Sequence, residues 1–252
     1  MKHVVVPFLL LGLFFVAVIC RAQEMPADEA LSFIARTDKL MSPAEYESWM
    51  VMTNYKPGRQ PTKNRTHVYR REDKMVAIFL DPPIQKGEAF IRSGDDMWMY
   101  LPRSKKVTRI GAKETSMGGE ASNADLMRVD LARDYTAVSA VTEDVSGRAS
   151  WKIELKARDR SISYDRIICW IDKDSGIPSR REYYALSGRK MKTMTFSDVR
   201  MLGSRQRPGA MLIVNEDNPE YRTEMVVETL KEGLAQGDQI FTPSYVQQGL
   251  LR

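Results

Sequence analysis

Residues 89–110 read AFIRSGDDMWMYLPRSKKVTRI, and their pattern decides the fold. Ala89-Phe90-Ile91-Arg92 is a short apolar run, and Ser93-Gly94-Asp95-Asp96 is a turn cluster. A second run, Met97-Trp98-Met99-Tyr100-Leu101, follows at once, and after a break at Pro102 the chain enters the alternating stretch 106–110. Runs of β-formers separated by so few residues are antiparallel neighbours, because parallel strands need a crossover of a dozen or more residues.

The same pattern extends in both directions. Strand-like runs stand at 46–55, 66–71 and 75–80, and again at 135–142, 150–157, 164–171, 179–185, 190–200, 210–215 and 222–229. Lys56-Pro57-Gly58, Ser187-Gly188 and the clusters at 144–147, 172–176 and 216–219 punctuate them with turn chemistry. About a dozen strands of this kind predict a mainly β chain of the α+β class, built as an antiparallel meander. A sheet of that width must curl or close to protect its edges. The exceptions are helical. Ala30, Phe33, Ile34 and Thr37 recur at helical spacing in 27–40, with Asp28 and Glu29 in the first turn. A short helix is expected at 123–131 after Gly118-Gly119, and Thr242-Pro243 opens a last turn. With no linker between these parts, 23–252 reads as a single domain.

The first 22 residues read differently. Lys2 and His3 precede an apolar run that ends at Cys20-Arg21-Ala22, before the polar Gln23-Glu24. A basic start, an apolar middle and a small residue before a polar boundary form an export signal, with cleavage expected after Ala22. The alternative is a retained membrane anchor, since the run approaches the length that spans a bilayer.

Removing that leader changes the inventory. The 252-residue chain has 38 basic and 33 acidic residues, two cysteines and two histidines; residues 23–252 keep a net charge of +3, Cys169 and His67. An internal disulfide is then impossible, and His-rich or four-cysteine metal sites are excluded. Any Ser-His-Asp or Cys-His catalytic group would have to use His67. The carboxylate pairs Glu72-Asp73 and Asp95-Asp96 sit in predicted turns, where backbone chemistry accounts for them. No catalytic, metal or cofactor residue is therefore assigned. The basic run Arg103, Lys105, Lys106 and Arg109 beside Trp98 and Tyr100 could resemble a nucleic-acid platform, but export and the small net charge exclude that partner.

Methionine is the positive signal. Fourteen of the 230 residues after the leader are Met, roughly two to three times the share in an ordinary domain. Met50 and Met52, like Met97 and Met99, share strand faces at i, i+2 spacing. Flexible, polarizable side chains suit a surface that accommodates apolar ligands, although they also fill gaps in cores. Met97, Met99, Met50, Met52, Phe90, Trp98 and Tyr100 are the candidate ligand-binding residues, and period alone does not say which face of 97–101 lines a cavity.

The ordered set Asp81-Pro82-Pro83, Lys86-Gly87-Glu88-Ala89-Phe90, Met97-Trp98-Met99-Tyr100-Leu101-Pro102, Met117-Gly118, Asp125-Leu126, Asp134-Tyr135, Trp170-Ile171-Asp172-Lys173, Pro178, Glu182-Tyr183-Tyr184, Thr195-Phe196-Ser197-Asp198-Val199 and Phe241-Thr242 resembles the bacterial outer-membrane lipoprotein-sorting protein family of the LolA-like superfamily. The resemblance covers essentially all of 23–252. It implies an unclosed antiparallel β-barrel with a few covering helices and an apolar cavity for acyl chains. It also implies a periplasmic carrier of lipids or lipoproteins toward the outer membrane, with transient membrane contact and an inner-membrane transporter of the resistance-nodulation-division (RND) type as partner. A regulatory, RseB-like sensor is the alternative it leaves. By the same resemblance Met117, Gly118 and Leu126 belong to a lid, in which Ser116 and Ala121 replace aromatic residues usual in that family. The oligomeric state is not set by the sequence.

Overall fold

The computed structural model describes residues 23–115, 118–127 and 130–249. The expected leader, residues 1–22, and Met117 of the expected lid lie outside them.

Thirteen strands form one antiparallel sheet. They are β1 (Glu45–Tyr55), β2 (Thr62–Arg71), β3 (Lys74–Asp81), β4 (Ala89–Ser93), β5 (Asp96–Leu101), β6 (Lys106–Arg109), β7 (Tyr135–Val145), β8 (Arg148–Ala157), β9 (Arg166–Asp172), β10 (Pro178–Tyr184), β11 (Lys190–Leu202), β12 (Arg205–Asn215) and β13 (Arg222–Glu232). Every strand run expected from the sequence is present. Their order, β6-β5-β4-β3-β2-β1-β13-β12-β11-β10-β9-β8-β7, describes two hairpin meanders fused where β1 pairs with β13. The sheet curls but does not close. Its two edges, β6 and β7, are consecutive in sequence.

Both edges are protected from further pairing. The edge of β7 takes a short addition from residues 23–25, through Met25 N–H to Ala140 O at 3.0 Å and Thr142 N–H to Gln23 O at 3.0 Å. The other edge is only four residues long and carries exposed Lys106 and Arg109.

Four α-helices, α1 (Ala27–Met41), α2 (Asn123–Met127), α3 (Leu131–Asp134) and α4 (Pro243–Gln247), and a 3-10 turn at Asp238–Phe241 accompany the sheet among the described residues. The stripe Ala30, Phe33, Ile34 and Thr37 buries α1 against the sheet, and Asp38 is buried with it. The helix expected at 123–131 is two helices, because Asp130 leaves helical geometry (φ −132°, ψ 73°) and its carboxylate caps Arg133 N–H to start α3. Thr242 caps α4 with Pro243 at its first position, as expected.

The core has three parts. The largest lies on the concave face beneath α1 and includes Ile34, Met52, Ile153, Leu155, Ile171, Ile213 and Met225. A second, concave cluster joins Val68, Phe79, Phe90, Met97 and Met127. The third lies on the convex face, where Tyr69, Val76, Ile91 and Tyr100 pack under Phe241 and Val246. Glu72 and Asp95 occupy hairpin turns, consistent with their backbone reading.

Candidate functional site

The concave face holds a cavity between the sheet and the helices of the 123–134 segment. The period of two sets its floor: Ser48 and Met50 from β1, Arg181 and Tyr183 from β10, Met194 and Phe196 from β11, Met211 from β12 and Met225 from β13. Ala124, Asp125 and Leu126 of α2 and Leu131 of α3 form its roof, with Met41 at the end of α1 closing one side. The enclosed space is about 150 Å³, and it opens to solvent at its mouth. Six of the wall residues are methionines: 41, 50, 75, 194, 211 and 225.

The roof is held at both ends. Ser122 and Asp125 form a reciprocal cap at the start of α2: Ser122 N–H donates to Asp125 Oδ2 at 2.7 Å, and Asp125 N–H donates to Ser122 Oγ at 3.2 Å. Asp125 also pairs with the buried ammonium of Lys192 on β11 and accepts the Tyr164 hydroxyl at 3.1 Å. Lys192 donates in addition to Glu120 O at 3.1 Å. Desolvation, reinforced by the neighbouring Asp125 charge, raises the Tyr164 phenol far above its ordinary range and keeps it a neutral donor.

At the other end, the carbonyl of Met127 receives two guanidinium groups, Arg92 Nη1 at 2.6 Å and Arg70 Nη1 at 3.2 Å. A helix C-terminus presents unpaired carbonyls and partial negative charge, so buried cations suit it. Arg92 is only 1% exposed; its Nε also donates to Gly94 O at 2.8 Å. Before α2, Gly119 lies against the β1–β13 seam. A Cβ there would meet Asn54 Oδ1 and would stand 2.7 Å from Thr223 Oγ1. The adjacent Glu120 N–H donates to that hydroxyl at 2.8 Å.

Among the candidate ligand residues, Met50 lines the cavity, and so does Leu126 of the expected lid. Met52 lies in the core beside the cavity. Phe90, Met97 and Met99 pack into the second concave cluster around Met127 and so support the roof's anchor. Trp98 and Tyr100 face the convex side, in the cluster covered by α4. Both faces of β5 are thus packed core. Gly118 is exposed, with φ +66°, the left-handed region that glycine adopts without strain.

The reactive groups lie elsewhere. Cys169 is fully buried, and burial pushes its thiol up to about 11. His67 is on the convex face, stacked on Trp49 at 4.0 Å, with Nε2 3.1 Å from Glu47 and Nδ1 3.1 Å from the Tyr69 hydroxyl. Burial lowers its pKa. No group of three or more His, Cys, Asp or Glu that could hold a metal ion occurs among the described residues. No helix among them is long and apolar enough to cross a membrane.

Two site features were not singled out in the sequence. Arg70 and Arg92 occupy inward positions of strands, alternating with Val68 and Phe90, which is the signal that could have identified them. Arg181, the buried cation in the cavity floor, bears the same relation to Tyr183, but the adjacent Arg180 obscures it.

Comparison with known proteins agrees with this architecture. A LolA superfamily protein from Nitrosomonas europaea superposes with a TM-score of 0.77 at 20% identity, over 88% of this chain and 99% of that one. A putative outer membrane lipoprotein-sorting protein domain from Vibrio parahaemolyticus gives 0.75 at 22% identity, over 88% and 100%. A DUF1329 family protein from Desulfovibrio piger gives 0.77 at 21%, over 88% and 99%. No curated protein matches the chain in sequence. A family model described as "Uncharacterized protein" matches residues 71–248. The chain therefore belongs to that family, and its unclosed thirteen-stranded sheet is the fold of the LolA superfamily.

Proposed function

We propose that this chain is a non-catalytic carrier that shelters the acyl chains of a lipid or lipoprotein while they cross the periplasm toward the outer membrane. The observation that carries this reading is the methionine-walled cavity under a roof fixed at both ends. Six unbranched thioethers in one wall suit a ligand whose shape varies along its length. Each CH₂ removed from water contributes roughly 0.8 kcal/mol, so burial of about a dozen carbons supplies useful affinity without chemistry. Release then requires the roof to move, which links binding to the Met127 and Asp125 anchors.

Export through removal of residues 1–22, and action of 23–252 as one unit, belong to the proposal. The expected RND-type transporter gains no support from the fold. Mass spectrometry of the protein purified gently from its own host, together with uptake of a fluorescent fatty acid, tests the reading. Co-purified lipid, or saturable uptake, is expected. Protein that carries no lipid and takes up no fatty acid overturns it.

A further inference from the structure

The cavity wall contains four ionic side chains besides Arg181, and each has a partner. Asp125 pairs with Lys192, Asp130 caps Arg133 N–H, and Asp134 pairs with Arg133. Arg207 pairs with Glu232 at 2.8 Å and also donates to Leu40 O at 2.5 Å; Lys192, just behind the wall, is satisfied by Asp125 and Glu120. Arg181 is different. It is 6% exposed and lines the same cavity, yet its Nε has no hydrogen-bond partner.

Its surroundings explain the vacancy in its coordination. Cys169 and Met194 flank it across the sheet, and the Phe196 ring lies 5.2 Å from Cζ. The nearby carboxylate is that of Asp38 on α1, and it is directed elsewhere: Oδ2 accepts Ala132 N–H at 3.0 Å, while Oδ1 has no partner. Burial pushes the Asp38 carboxyl up to about 6 while the Arg181 charge pulls it down, so Asp38 offsets the guanidinium through charge and leaves its Nε without an acceptor. A guanidinium presents five donors in a planar fork matched to carboxylate and phosphate. Tyr183 accepts from this guanidinium and Asp38 offsets part of its charge, but the buried Nε–H stays unsatisfied, so an acceptor that arrives with the ligand gains more there than at any satisfied position.

We propose that Arg181 receives the head group of the cargo: the cavity takes acyl chains that end in an oxyanion, with the head on Arg181 and the tail along Met50, Met194, Met211 and Met225. This rests on the acyl-carrier reading and names the chemistry of its ligand. The oxyanion is either the carboxylate of a free fatty acid or the phosphate of an acidic lipid.

Titration calorimetry with dodecanoate, dodecyl phosphate and methyl dodecanoate on residues 23–252 separates the cases. At least one of the two anions should bind about tenfold or more tightly than the neutral ester, and the tighter of the two identifies the source. In Arg181→Met the anion should lose about that factor while the ester keeps its affinity. Equal binding of anion and ester by the wild-type protein overturns the Arg181 assignment and leaves the carrier reading standing. That comparison needs no variant, so a misfolded Arg181→Met does not obscure it. Equal loss of anion and ester in a folded Arg181→Met also overturns the assignment. Failure of all three ligands to bind overturns the carrier reading together with it.

Discussion

Arg92 and Arg181 are both buried on the concave face of the same sheet, one in each meander, and their surroundings are opposite. Arg92 spends its donors on the backbone carbonyls of Met127 and Gly94. Arg181 has a bare Nε and a floor of thiol, thioether and aromatic atoms beside open space. The β4–β5 half has become packed core on both faces, with Met97 inside and Trp98 and Tyr100 outside. In the β10–β13 half, buried Tyr183, Met194 and Met225 instead border the cavity beneath α2. The contrast separates two uses of a buried cation: one fastens the roof, and the other waits in the room below it.

Removing Arg92 should have the largest effect. Arg92→Met deletes two charge-assisted hydrogen bonds from a fully buried site, so unfolding in urea should show a loss of about 3–4 kcal/mol. A loss under 1 kcal/mol would mean that the Met127 anchor contributes little and that the comparison is drawn in the wrong place.

Asp38 gives a pH-dependent test of the other half. Its carboxyl ionises at about 6 when folded, against an ordinary 3.8. The folded state therefore holds this proton more tightly than the unfolded state does. The stability it contributes is complete below pH 3.8 and is lost as pH rises through about 6. Between pH 3 and 8 the wild-type protein should lose about 3 kcal/mol relative to Asp38→Asn, measured as the difference between their urea midpoints. A difference that does not change with pH would show that Asp38 is ionised and compensated, which would give Arg181 a true counter-ion.

The smallest effect is expected at Arg181 itself. A buried cation with a bare Nε and partial charge compensation, replaced by a side chain of similar volume, changes stability little, so Arg181→Met in ligand-free protein should lie within about 1 kcal/mol of wild type, or be more stable. A loss comparable to that of Arg92→Met would place Arg181 among the structural arginines.

Much of the fold was legible because strands and turns are local. Alternation along 97–101 and turn residues at 93–96 suffice for a hairpin, and the whole meander is a chain of such decisions. The 123–131 segment was harder: its spacing suits one helix, but Asp130 caps a second one, a competition between side-chain and backbone hydrogen bonds that period alone does not resolve. The cavity was legible only in outline. Met50 could be read from its i, i+2 partner, whereas Met194, Met211 and Met225 come together through the pairing of β11 with β12 and of β12 with β13.

By itself the sequence determined the thirteen strands, the antiparallel class, the α1 stripe and the scarcity of reactive groups, because each depends on neighbours within a few residues. The tertiary structure decided the rest. Pairing of β1 with β13 joins strands from opposite ends of the chain and turns two meanders into one concave surface. It also decided which of two adjacent arginines matters: Arg180 points outward and stacks 3.8 Å over Trp170, while Arg181 points into the cavity. A shift of one residue in register would exchange them, and that register is set by β9 and β11 on either side.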